Sequence, residues 1–107
     1  LEFRRVLFRS TLNKADDTII LCTGREEVYK SDTMDWLIKH DLHYKIADIY
    51  MRKEKDYRSD AIVKVELLKQ IEFDYDTPWL WLDDRQQVVD AIRAKGIRVL
   101  QVQPGDF

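Results

Sequence analysis
Short apolar runs alternate with amphipathic segments along the chain, and that alternation restricts its fold more than any other feature. Thr18 to Cys22 (TIILC) is apolar and partly β-branched, the pattern of a buried strand, and Thr23-Gly24-Arg25 is expected to end it. Ser31 offers a helix N-cap with Asp32 and Asp35 in the first turn, and Met34, Leu37 and Ile38 follow at helical spacing. Ile46 to Met51 (IADIYM) reads as a second strand. Asp60 is the expected cap of a second helix, with Val63, Leu67 and Ile71 on its apolar face and Ile62 and Leu68 beside them. Pro78 precedes a third strand, Trp79 to Leu82. Gln86 to Lys95 reads as a third helix with Val88, Val89 and Ile92 inward and Gly96 at its C′ position; Arg98 to Val102 is the fourth strand. The order β-α-β-α-β-α-β argues for an α/β fold, a mainly parallel sheet with helices on both faces. Such sheets place ligands beyond the carboxyl ends of their strands.

Composition narrows the class. The 107 residues suit one domain at most. Hydrophobic residues at 45% and charged residues at 36% exclude disordered and low-complexity classes. No apolar run approaches the roughly 18 to 20 residues that cross a bilayer. Cys22 stands alone, so no intrachain disulfide forms and a cytoplasmic setting is expected; on an apolar strand it reads as a small core residue. With 18 basic and 20 acidic residues the net charge is −2, so no global field draws in nucleic acid, and a polyanion must be held by local groups. Residues Leu1 to Ser10 (LEFRRVLFRS) resemble the translation of a common sequencing-library adapter and are read as adapter-derived, outside the fold. Without them 15 basic and 19 acidic residues remain, and residues 11–107 are the working domain.

Three polar clusters fall where an α/β fold puts its site: Thr23-Gly24-Arg25, the stretch from Arg52 to Lys64, and Asp83-Asp84. Adjacent carboxylates at a strand end are a ligand set for a hard cation such as Mg²⁺, or a solvated turn in which Asp84 caps the following helix. Asp60 and Lys64, four apart, share one side of a helix's first turn; by themselves they make a surface ion pair worth a few tenths of a kcal/mol. Thr23 offers a hydroxyl for a phosphate oxygen or simply a turn residue. Arg25 offers a bidentate grip on phosphate or a solvated side chain. Together a hydroxyl, a lysine and paired acids suggest phosphoryl chemistry with a divalent metal. His40 and His43 lack partners at metal-ligand spacing and read as surface residues. Trp36, Trp79 and Trp81 read as core or rim, and Tyr57, set among basic residues, as a surface ring with a lesser claim to stack on a base.

The order Thr23, Lys64, Asp83-Asp84 separates this chain from response-regulator receivers, whose acidic pair comes first. Four blocks then carry a specific resemblance: IILCTGRE (19–26), DTMDWL (32–37), MRKEKDYRSDAIVKVE (51–66) and LDDRQQVVDAIRAKGIRVLQVQPGDF (82–107). They are similar to the phosphatase domain of bacteriophage-type polynucleotide kinase-phosphatases, of the haloacid dehalogenase-like superfamily. The third block is the most telling. The family shows Arg, then Gly-Asp, Arg-x-Asp and Val-Lys, where this chain has Arg52, Asp56, Arg58, Asp60 and Val63-Lys64; Lys55 stands where the glycine is usual.

The resemblance implies a Mg²⁺-dependent hydrolase that removes a 3′-phosphate from nucleic-acid ends through an aspartyl-phosphate, in end repair. It implies Thr23 as the phosphate-binding hydroxyl and Arg25 as a phosphate or substrate contact. Lys64 would neutralise phosphoryl oxygens, and Asp60 would orient Lys64 or Arg25. Asp83 and Asp84 would hold Mg²⁺, with the direct ligand open between them, and Arg52 and Arg58 would touch the nucleic-acid backbone. An N-terminal kinase domain in the parent protein is a further expectation, and a membrane is not. One motif is missing. The family's nucleophile and general acid lie in Asp-x-Asp-x-Thr at the end of a first, central strand, and these 107 residues contain no such sequence. The expectation is therefore a fragment without its nucleophile, inactive alone, whose sheet lacks its central strand, with residues 11–17 as the tail of the helix after that strand. The alternatives are a related phosphatase acting on small phosphate esters and a non-catalytic phosphate-binding module.

Overall fold
The computed structural model describes residues 18–105. The adapter reading of Leu1 to Ser10, the helix tail expected over 11–17 and the terminal Asp106-Phe107 lie outside them. Four strands and three helices follow in the expected order: β1 (Ile19–Glu26), α1 (Lys30–Lys39), β2 (Ile46–Arg52), α2 (Asp60–Asp74), β3 (Trp81–Asp83), α3 (Gln86–Arg93) and β4 (Val99–Gln101). The strands pair in two parallel ladders, β1 with β2 and β3 with β4, and no ladder joins the two pairs among the described residues. The chain divides into two compact units, one ending at Asp56 and the other starting at Tyr57.

In the first unit, alternate β1 residues Ile19, Leu21 and Thr23 are buried. Leu21, Leu37 and Leu42 form one core cluster, with Met34, Trp36, Ile46 and Ile49 packed against them. The inward face of α1 carries Thr33 and Leu37, while Ile38 is exposed. The expected Ser31 cap is not used. A 3₁₀ turn over Glu27–Tyr29 runs straight into the helix, so Tyr29 takes the cap position with no side-chain bond and Ser31 falls inside the first turn. Cys22 is half-buried.

In the second unit, α2 buries Val63, Leu67, Leu68 and Ile71, and α3 buries Val88, Val89 and Ile92 completely. The two helices pack together, and α3 packs on β3 and β4. Ser59, not Asp60, caps α2: its Oγ accepts the Ile62 N–H at 3.4 Å, and Asp60 becomes the first helical residue. Strand β3 starts at Trp81, two residues later than expected, leaving Trp79 exposed. Helix α3 stops at Arg93, and Gly96 takes φ +82°, the left-handed conformation that glycine adopts without steric cost.

Candidate functional site
Two groups of polar side chains sit at strand ends, one in each unit. In the second unit Asp83 closes β3 and is 4% exposed. Lys64, one turn into α2, is 8% exposed, which excludes the surface ion pair that its spacing from Asp60 suggested. Its Nζ lies 2.8 Å from Asp83 Oδ2 and 3.4 Å from Asp60 Oδ2. A buried ammonium carries a large desolvation cost unless it is paired, and here one cation lies between two carboxylates.

Both oxygens of Asp83 are engaged. Oδ2 accepts from Lys64 and, at 3.3 Å, from the Trp81 indole N–H; Oδ1 accepts the Asp84 and Arg85 backbone N–H groups at 2.9 and 3.4 Å. Burial by itself would push the carboxyl up. The Lys64 charge and hydrogen bond, with the Asp84 N–H and the Trp81 indole, outweigh it and hold Asp83 below its ordinary value of 3.8. The loop that follows is pinned from β4. Val102 N–H donates to the Asp83 carbonyl at 2.9 Å, and the Gln101 amide donates to the Asp84 carbonyl at 3.1 Å. Arg85, not Asp84, takes the cap position of α3, with no side-chain cap bond of its own, and Arg85 Nη1 reaches within 3.5 Å of Asp60 Oδ2.

A hard divalent cation takes carboxylate oxygens, and Asp83-Asp84 supply them in kind. Both Asp83 oxygens are already on donors, so Asp83 would have to give up one of them to meet a metal. No group of three His, Cys, Asp or Glu is gathered for a metal among the described residues, so further ligands would have to be substrate or water oxygens or come from elsewhere.

In the first unit Thr23 is 8% exposed and lies within β1, which continues to Glu26 instead of stopping at Cys22. The ladder with β2 is irregular between Thr23 and Glu26. There the Thr23 hydroxyl accepts the Arg25 backbone N–H at 3.2 Å, a local turn that Gly24 permits inside the strand. The Arg25 guanidinium donates to Thr33 Oγ1 at 3.3 Å and lies 5.5 Å from the Tyr29 ring centroid.

The two remaining candidate arginines have internal partners. Arg52 donates to the Gly24 carbonyl at 2.7 Å and the Asp56 carbonyl at 2.9 Å. Arg58 makes a bidentate pair with Glu66 at 2.6 and 2.8 Å. Lys55, in the usual glycine position, takes φ +62°, and its N–H donates to Glu26 Oε1 at 2.7 Å. The backbone there keeps the conformation a glycine would favour although the side chain does not.

Arg85, Trp81, Thr33 and Tyr29 touch the candidate residues without having stood out in the sequence. Arg85 had one available signal, its place directly after the acidic pair. Thr33 had another: a hydroxyl residue one turn before Leu37 on the buried helical face. The Trp81 indole bond and the Tyr29 stack depend on side-chain direction, which no spacing reveals.

Parallel strand pairs with intervening helices, and a lysine bonded to an aspartate at a strand end, make a mixed α/β fold. Comparison with protein families matches residues 4–107 to the polynucleotide kinase PNKP phosphatase domain, and the chain belongs to that family. Among solved structures it is similar to a chain of a Pnkp1/Rnl/Hen1 complex, with 32% identity and a TM-score of 0.85 over 100% of this chain and 36% of that one. A second, the Pnkp1/Rnl/Hen1 RNA repair complex, matches at 30% identity and a TM-score of 0.76 over 95% of this chain and 32% of that one. This chain thus spans only about a third of the length of either. No curated protein matches it. No described helix is long and apolar enough to cross a membrane.

Proposed function
We propose that these residues form the phosphate-handling part of a polynucleotide 3′-phosphatase, a phosphomonoester hydrolase that works through an aspartyl-phosphate. The observation that carries the reading is the buried Lys64 held between Asp60 and Asp83. A fixed ammonium at a strand end, desolvated and oriented by two carboxylates, is suited to meet the charge of a phosphoryl group. Asp60 orients Lys64 and Arg85. Thr23 and Arg25 supply a hydroxyl and a guanidinium for phosphate oxygens. Mg²⁺, when bound, would neutralise phosphate charge, and the carboxylates of the Asp83-Asp84 pair would hold it, the Asp83 carboxylate also accepting the Asp84 N–H. Arg52 and Arg58 act chiefly on the loop between β2 and α2, through the Gly24 and Asp56 carbonyls and Glu66, with any contact to a nucleic-acid backbone secondary.

The 107 residues hold no Asp-x-Asp-x-Thr, so the nucleophile and its acid must come from outside them. The relatives' RNA repair complex makes RNA ends the first substrate to try. The test compares oligonucleotides ending in a 3′-phosphate or a 3′-hydroxyl, with Mg²⁺, for binding and for released phosphate. We expect the phosphorylated end to bind at least about tenfold more tightly, a difference of about 1.4 kcal/mol, with no release. Equal binding would sink the phosphate-site reading. Release of phosphate would overturn the view that the nucleophile lies outside these residues. Full competition by a small sugar phosphate would favour a small-ester phosphatase.

A further inference from the structure
We propose that Thr33 and Tyr29 are positioning residues that keep the Arg25 guanidinium oriented and uncompensated for a phosphate anion, an inference that rests on reading Arg25 as a phosphate contact. Other described arginines have settled partners. Arg58 is on Glu66, Arg85 on Asp60, and Arg52 and Arg93 on backbone carbonyls. Arg25 has no carboxylate within ion-pair distance among the described residues. Its side-chain contacts among the described residues are a neutral hydroxyl and an aromatic face.

The hydroxyl is fixed from both sides. Thr33 is fully buried, and its Oγ1 donates to the Tyr29 carbonyl at 3.1 Å, one helical turn back. With its single proton committed there, only lone pairs face Arg25, and Arg25 Nη1 donates to them at 3.3 Å. The Tyr29 ring adds a face 5.5 Å from the guanidinium carbon. A carboxylate in either place would orient Arg25 equally well but would cancel its charge. Neutral partners hold the fork still and leave the charge for an incoming dianion, so less side-chain freedom is lost on binding. The 3₁₀ turn that replaces a conventional cap on α1 is what brings Tyr29 and Thr33 to one guanidinium.

The test uses the whole chain with 3′-phosphorylated and 3′-hydroxyl oligonucleotides as probes, and follows the Arg25 Nε–H signal by NMR. Thr33→Val keeps the shape and removes the hydroxyl. It should lower affinity for the 3′-phosphate about tenfold, leave 3′-hydroxyl binding unchanged and broaden the Arg25 signal. Thr33→Ser should restore both readouts, which a purely structural role for the methyl group would not do. If Thr33→Val fails to fold, Tyr29→Leu, at a half-exposed position, should give the same selective loss. If Arg25→Ala leaves the preference for 3′-phosphate intact, Arg25 is no phosphate contact and that reading falls. If Arg25→Ala abolishes the preference while Thr33→Val and Tyr29→Leu keep wild-type affinity and a sharp Arg25 signal, the positioning inference alone is overturned.

Discussion

Lys64 shows how one residue ties packing to chemistry. Its side chain and that of Asp83 are about one-tenth and one-twentieth exposed, so neither charge is tolerable without the other. Lys64→Met should cost about 3 to 5 kcal/mol at neutral pH, because it leaves Asp83 ionised and buried with no cation beside it. The pH dependence should reverse between the two proteins. In the wild type the folded Asp83 is held below 3.8, so the unfolded chain takes up the proton first. Its contribution is full above the ordinary carboxylate range and is lost as pH falls below about 4, toward the lowered folded value. In Lys64→Met burial prevails and raises the Asp83 carboxyl, so acidification from pH 7 should recover part of the lost stability. Urea unfolding at neutral and mildly acid pH distinguishes these slopes, and a variant whose deficit stays constant between them would contradict the account.

Elements were legible where local pattern and packing agree. The inward residues of α3, Val88, Val89 and Ile92, follow from helical period alone and are fully buried. Ile62 and Ile38 obey the same apolar count yet stand exposed, because period selects a face but not how far a neighbour covers it. The burial of Lys64 was illegible for the opposite reason: a lysine next to Val63 becomes a core residue only when Asp83, nineteen positions away, comes to meet it. The candidate site was legible as residue types at strand ends, but its partners depend on contacts across the fold. Helix starts erred by a residue or two, as Asp60 and Ser31 show. Here the structure makes a paired forecast. Ser59→Ala should destabilise the second unit by about 0.5 to 1 kcal/mol, the low end for an N-cap because its bond is long at 3.4 Å. Ser31→Ala, inside the first turn of α1 and exposed, should stay within about 0.5 kcal/mol of neutral. Shifts in the urea midpoint at constant m-value measure both, and a larger loss at Ser31 would restore it as the cap.

At the scale of the whole molecule, the strand pairing matters more than any side chain. Each described strand has a single partner, and a two-stranded sheet is marginal without further cover. In the second unit that cover is α3, which packs on both β3 and β4, while α2 packs on α3. In the first unit the described buried apolar side chains are Ile19, Leu21, Leu37, Leu42, Tyr50 and Met51, fewer than those described in the second. Two units with no common ladder among the described residues should not unfold as one cooperative body. The expected outcome is a broad transition in which backbone amides of β1 and β2 exchange with solvent before those of α2 and α3. Strands with one partner also offer unpaired backbone to other copies, so self-association should rise with concentration. Hydrogen exchange resolved by segment, across a dilution series, reads both effects together. A single sharp transition in a monomer, with equal protection in β1 and α2, would show that the two units share more than the described ladders provide.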